Sequence, residues 1–251
     1  MHVEFLGLPG AGKTTMSRAV AAALRERRIS VTEPTYRVDH TVGNGVRQAV
    51  KLWYSLRRMI RRPLLSARWA RTVLGSHQRA LGSSWLETAN LLYLLELIRS
   101  QAARPGVHLF DQGLFQALWS LAYDSASPGV IPGPVLERVR RSLPRTAVVV
   151  VVEASVTTVR ARLLERPGTT SRLQRALTNG RSAAAFATAT AVLRCAEAAA
   201  GELARDGRIH VLRVSNESDA ELPQGAERVA DALSRLLREA SPAIPIAGQP
   251  G

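Results

Sequence analysis

A glycine-rich turn between a short strand and a helix constrains this chain more than any other feature. Residues Gly7-Leu8-Pro9-Gly10-Ala11-Gly12-Lys13-Thr14 match the pattern G-x-x-x-x-G-K-[ST] at every fixed position. The glycines let the backbone curl until successive N–H groups point at one anion. Lys13 supplies a point charge for β- and γ-phosphates, and Thr14 offers a hydroxyl to Mg²⁺. Residues 2–6 read as a strand. Residues 15–28 read as a helix, with Met16, Val20, Ala23 and Leu24 at helical spacing and its N-terminus toward the phosphates. Gly7 to Thr14, with Thr15 after them, therefore form an expected ATP·Mg²⁺ cradle. What becomes of the triphosphate is not written there.

The rest of the chain alternates between the two periods. Further strands are expected at 29–33, 107–110, 146–152 and 208–214. The almost unbroken valines of 146–152 have the pattern of a strand buried on both faces of a parallel sheet. Helical patterns fall at 46–62, 66–77, 85–103, 113–122, 134–143, 155–166, 182–205 and 222–240. Such alternation implies a three-layer α/β fold with a five-stranded parallel sheet and a helical insert. Ligands of such sheets lie beyond the carboxyl ends of the strands, where Gly7, Glu33, Asp111 and Glu153 fall. The expected organisation is one domain over 1–240, with an insert at 37–104, a lid at 160–181 and a disordered tail at 241–251.

Composition narrows the class further. The 251 residues are 46% hydrophobic and 22% charged, ordinary for a globular protein, but the net charge is +14 and only Lys13 and Lys51 among 34 basic residues are lysine. A single cysteine, Cys195, supports neither a disulfide framework nor a cysteine zinc site, and a reducing, cytoplasmic setting is the expectation. The first residues lead straight into a strand, so no secretory leader is expected. The longest apolar stretches, 89–98 and 147–152, fall short of the ~20 residues of a membrane span. His40, His77 and His108 show no ligand spacing, with His108 read as structural. Trp53, Trp69 and Trp119 read as packing residues. No zinc or serine-hydrolase motif is present.

Three places could carry chemistry besides the loop. Asp111 follows an apolar strand, where it could face Mg²⁺ beside Thr14 or cap the next helix. Glu33-Pro34 ends the second strand, where a carboxylate could take a proton from an acceptor hydroxyl or simply make a turn. Arg160, Arg162, Arg166 and Arg172 lie in or just past one helix. Arg162 and Arg166 share a face and could close over a moving phosphoryl group, with 167–170 as the hinge, or form a solvated basic face.

Taken together, these places resemble the thymidylate kinase and deoxynucleoside kinase group of phosphate-loop kinases. Glu33-Pro34 looks like that group's Glu-Pro element, and Asp111-Gln112-Gly113 sits where the group has Asp-Arg or Glu-Arg-Ser. Arg162-Leu163-Leu164-Glu165-Arg166 is similar to its Arg-x-x-x-Arg lid start. The resemblance implies strand order 2-3-1-4-5, with Glu33 as base and Asp111 as a Mg²⁺ partner. Thr32 and Gln112 depart from the pattern, since the group carries arginine at such places. An arginine fork grips phosphate and an amide does not, which argues against a monophosphate acceptor bound in the thymidylate kinase manner and leaves open both a neutral hydroxyl acceptor and a divergent member with another substrate.

From Arg37 to Arg79 the chain has ten basic residues against the single acid Asp39. Val46, Val50, Trp53, Leu56 and Ile60 make one apolar stripe, while Arg47, Lys51, Arg58 and Arg62 face elsewhere. The segment could recognise an anionic acceptor, bind nucleic acid or an anionic membrane surface, or be a solvated face over a core stripe. The expected activity is ATP-dependent phosphoryl transfer to a nucleoside, nucleotide or similar small molecule. The alternative is a nucleotide-dependent switch or nucleic-acid-associated ATPase. Oligomeric state is left open, a dimer being compatible.

Overall fold

A five-stranded parallel sheet in the order β2-β3-β1-β4-β5 organises the chain. The structure is a computed structural model that describes residues 1–75, 81–125, 131, 133–144, 146–167, 171–180 and 182–240, and the side chains of residues 40, 81–84 and 133 are outside that description. The expected tail 241–251, the hinge residues 168–170, residue 181, His77, Arg79 and the His40 side chain thus lie outside the described residues.

The strands are β1 (His2–Leu6), β2 (Val31–Thr32), β3 (Val107–Phe110), β4 (Ala147–Glu153) and β5 (Ile209–Ser215). Leu6 pairs with Val151, Glu4 with Phe110 and Thr32 with His108. Strands β1, β3 and β4 are buried almost throughout, as the valine run requires. The expected second strand is cut to two residues: it begins only at Val31, and Glu33 is lost to it because Pro34 stands at the first position of a helix and starts it at once.

The helices are α1 (Lys13–Glu26), α2 (Pro34–His40), α3 (Asn44–Arg61), α4 (Pro63–Gly75), α5 (Leu81–Ala102), α6 (Leu114–Tyr123), α7 (Gly133–Ser142), α8 (Val156–Glu165), α9 (Arg172–Thr178), α10 (Ser182–Arg205) and α11 (Leu222–Ala240). The short helices α2 and α9 have no clear periodicity in the sequence. By length and composition α10 could cross a membrane, which the sequence expectation did not anticipate. In this fold its Phe186, Ala189, Val192, Ala196 and Leu203 are buried in the core beside the sheet.

The insert is a helical layer of α2 to α5. Tyr54 meets Tyr93, and Arg58 meets Glu96, so α3 and α5 run in the same direction while α4 returns between them. Here one reading is corrected. The stripe on α3 is not a core stripe: Val46, Trp53, Leu56 and Ile60 are exposed, whereas Ser55 and Arg58 are the buried residues of that helix. The inward side of α3 meets Glu96 of α5, which is fully buried and held by Arg99 of its own helix at 3.1 and 3.2 Å; Arg57, Arg58 and Arg61 of α3 add positive charge around that carboxylate at 3.4–3.9 Å, and Ser55 donates to the Ala89 carbonyl at 2.7 Å. Trp69 and Trp119 are core residues as expected, and Trp53 is not.

Candidate functional site

The phosphate loop is held in shape from three sides. Gly10 and Gly12 have φ of 93° and 88°, values that favour glycine. A Cβ on Gly7 would stand 2.6 Å from the Val152 carbonyl oxygen, so that glycine is needed for close passage over β4. On the β5 side, Asn216 is buried and donates from Nδ2 to the Ala11 carbonyl at 2.8 Å. A Cβ on Gly12 would overlap that amide nitrogen. On the β3 side, Gln116 Oε1 accepts from Gly7 N at 3.3 Å.

Gln116 is placed there by a cap. Glu4, buried in β1, accepts from the backbone N–H groups of Leu114 and Phe115 at the start of α6. It satisfies donors that a helix start leaves open and sets a negative charge at the positive end of the helix. Asp111 was the sequence candidate for this capping role. Gly113 is the cap residue instead, and Glu4 does the work from a neighbouring strand.

Asp111 is buried and bridges two hydroxyls. Oδ2 accepts from Thr14 Oγ1 at 2.8 Å, and Oδ1 accepts from Thr35 Oγ1 at 2.6 Å. One carboxylate thus joins the phosphate loop to the start of α2. No cluster of three or more His, Cys, Asp or Glu residues able to hold a metal occurs among the described residues. The oxygen pair of Thr14 and Asp111 fits Mg²⁺, which takes one or two protein oxygens and fills its shell with phosphate and water.

Lys13 Nζ donates to the carbonyls of Gly7 and Leu8, both at 3.0 Å. Removal from water lowers its pKa to about 8. Asp111 opposes that shift and Arg166 adds to it. Arg166 is therefore within electrostatic reach of Lys13, at the exposed C-terminal end of α8. Arg162, one turn earlier, donates from Nη1 to the Asn216 carbonyl at 2.8 Å and lies 3.8 Å from where a Gly12 Cβ would stand. Arg162 flanks the loop, and Arg166 follows one turn further along. Arg172 does not join them: its guanidinium is bound by Glu87, by Asp124 at 2.9 Å and by Ser120 Oγ at 2.8 Å.

Glu33 lies apart from this group. Thr32 is level with His108, so Glu33 leaves the sheet two residues short of the level of Asp111. Its Oε2 accepts from Arg25 Nη2 at 2.7 Å, and its buried Oε1 has no hydrogen-bond partner among the described residues. Thr32 and Gln112, the two departures from arginine, also differ in setting. Thr32 is bonded to His108 Nδ1 at 2.7 Å, and Gln112 is exposed.

Sequence reasoning missed the insert's polar cluster. Lys51 pairs with Asp39 at 2.7 Å and lies 5.3 Å from the Tyr93 ring centroid. The Tyr93 hydroxyl is buried without a partner among the described residues. Burial raises its pKa, and the Asp39, Tyr54 and Asp111 groups push the same way. Lys51 thus stands between Asp39 and the Tyr93 ring. The signal available in the sequence was Asp39 itself, the lone acid of a basic segment. Thr35 carried none.

No family model and no curated protein matches this chain. Among solved structures it is similar to deoxyadenosine kinase from M. mycoides with bound dATP, at 14% identity and TM-score 0.49, covering 93% of this chain and 100% of that one. It is also similar to thymidylate kinase from Candida albicans (10% identity, TM-score 0.49, 94% and 92% covered). Shikimate kinase from Acinetobacter baumannii in complex with shikimate gives 15% identity and TM-score 0.41, with 96% and 94% covered. On its own sheet order, with the glycine loop between β1 and α1, the chain has the phosphate-loop NTPase fold.

Proposed function

We propose that the protein is a phosphoryl-transfer enzyme that moves the γ-phosphate of ATP to a small-molecule hydroxyl. The observation that carries this reading is Asp111 joined to Thr14 on one oxygen and to Thr35 on the other. That carboxylate ties the triphosphate cradle to the helical insert, where an acceptor would lie. A generic triphosphatase has no need of a built second side.

In this reading residues 7–14, with Thr15, bind the triphosphate through backbone N–H groups, and Lys13 exchanges its two loop carbonyls for phosphate oxygens. Mg²⁺, held by Thr14 and Asp111, would neutralise phosphate charge. Arg162, which flanks the loop, and Arg166, one turn further along, supply positive charge as charge spreads over the transferring group. Glu33 is assigned as the acceptor of the hydroxyl proton, a role that requires its carboxylate to leave Arg25 and turn toward the loop. Tyr93, Asp39 and Lys51 line the acceptor side, and a mixed set of donors and acceptors suits a neutral polyhydroxyl compound such as a nucleoside or sugar. The resemblance to nucleoside kinases supports the same class. The lone free Cys195 supports a reducing, cytoplasmic setting.

The test is transfer from γ-labelled ATP with Mg²⁺ to a panel of nucleosides, nucleotides and sugars, comparing wild type with Lys13→Ala. Labelled product from one acceptor class, lost in the variant while the fold is kept, is the expected result. Triphosphate hydrolysis that no small acceptor diverts, but that a polynucleotide stimulates, would overturn the proposal in favour of a polymer-associated ATPase.

A further inference from the structure

Helix α3 is turned inside out. Its buried residues are a serine and an arginine, while its large apolar side chains face solvent. Trp53 is 63% exposed, Ile60 80% and, at the start of α4, Leu64 78%, with Leu52, Leu56 and Met59 beside them. At 100° per residue, Val46, Leu52, Trp53, Leu56, Met59 and Ile60 occupy one continuous arc of α3. A monomer rarely leaves so concentrated an apolar face open without a partner for it.

The charges around this face identify the partner. Residues 40–86 contain no Asp or Glu and nine basic residues, of which Lys51 and Arg58 turn inward to Asp39 and Glu96. Arg57 and Arg61, which also face Glu96, follow the edge of the apolar arc, and the exposed Arg68 and Arg71 lie one and two turns past Leu64 on the same side of α4. We propose that the α3–α4 face docks the protein on an anionic lipid bilayer, with the apolar arc in the headgroup boundary and the arginines on acidic headgroups. Apolar arc, flanking arginines and an exposed tryptophan are what an interfacial helix needs. A second copy of the chain fits poorly, because self-pairing would bring two acid-free basic rows together. A polynucleotide would meet the arginines and leave the leucine, methionine and isoleucine side chains in water.

Docking has a geometric consequence. The opposite side of α3 carries Lys51 and Tyr54, which face Asp39 and Tyr93. The acceptor side would then sit about one helix diameter, ~10 Å, from the headgroups.

The test is co-sedimentation of the full chain with vesicles of phosphatidylcholine alone and of phosphatidylcholine with phosphatidylglycerol. Binding to the second and not the first, weakening with salt, is expected. Arg68→Gln with Arg71→Gln should weaken it ~5-fold per charge removed. Leu56→Glu with Ile60→Glu should abolish it. Trp53→Ser with Ile60→Ser serves as a milder second variant, and melting and triphosphate binding at the loop check that each variant keeps its fold. Three results would overturn the proposal. The first is no binding to anionic vesicles at low salt, or binding that the apolar variants leave intact. The second is a dimer by light scattering that those variants dissociate, which assigns the face to a second copy. The third is polynucleotide binding that survives the apolar variants and is lost in the arginine variants.

Discussion

Gly113→Ala should be among the most damaging small substitutions in this protein, although alanine suits the backbone there. Gly113 has φ −103° and ψ −162°, an extended conformation open to any residue. The obstacle is space. A Cβ would lie 2.6 Å from Glu4 Cδ and overlap the carboxylate itself. Glu4 must then withdraw from Leu114 N and Phe115 N, and it has nowhere wet to go, being buried with His2 Nε2 3.7 Å away. Loss of the cap costs about 1 kcal/mol, and a buried carboxylate without its partners about 3–5 kcal/mol. Relaxation offsets part of this, so about 3–5 kcal/mol in total is expected. Glu4→Ala alone removes the charge and orphans two N–H groups, for about 2–3 kcal/mol. The double variant should fall near Glu4→Ala, because the clash has gone. The pair is therefore strongly non-additive, and denaturant unfolding of the four proteins at constant m measures it. Gln116, one turn along α6, supports Gly7 N, so triphosphate affinity should fall in both single variants. Additive effects, or a Gly113→Ala protein within about 1 kcal/mol of wild type, would refute the reasoning.

Other outcomes follow from the same geometry. Lys13 has a folded pKa of about 8 against an ordinary 10.5, so the unfolded chain binds more protons between those values. Stability of the nucleotide-free protein should therefore rise with pH through that window and show no Lys13 slope below it, and Lys13→Met should flatten the rise in thermal melts across pH. Triphosphate favours the charged amine, so calorimetry in buffers of different ionisation enthalpy should show proton uptake on binding at pH ~9 and little at pH ~7. Asn216→Ala removes the bond to the Ala11 carbonyl, and triphosphate affinity should drop roughly 5–10-fold at titration, with Asn216→Asp no better because it cannot donate. Glu33→Gln should lower turnover by ~10²-fold or more with triphosphate affinity unchanged, and equal turnover in single-turnover assays would remove Glu33 as base.

Much of the site could be read without coordinates because it is local. Gly7 to Thr14 are adjacent in sequence, and a left-handed turn that needs glycine announces itself in the glycines. Asp111 stood out for a similar reason, as a carboxylate at the end of an apolar strand. Asn216 and Gln116 support the same loop from other strands and helices, and nothing in their own neighbourhoods marks them. Glu33 shows the reverse. Its dipeptide was legible, but Pro34 opens a helix so early that the carboxylate meets Arg25, while Thr35 makes the contact with Asp111.

The alternation of strands and helices, the burial of the valine strand and the anion cradle are all legible in the chain, because each follows from periodicity or backbone freedom within a few residues. Which way α3 faces depends on packing between distant segments. Its pattern is a strong amphipathic one, and amphipathicity alone says that the two sides differ, not which side meets the protein. The inward side meets partners more than thirty residues away on α5: the Ala89 carbonyl that accepts from Ser55, the Tyr93 ring against Tyr54, and the buried Glu96, already held by Arg99, near Arg58.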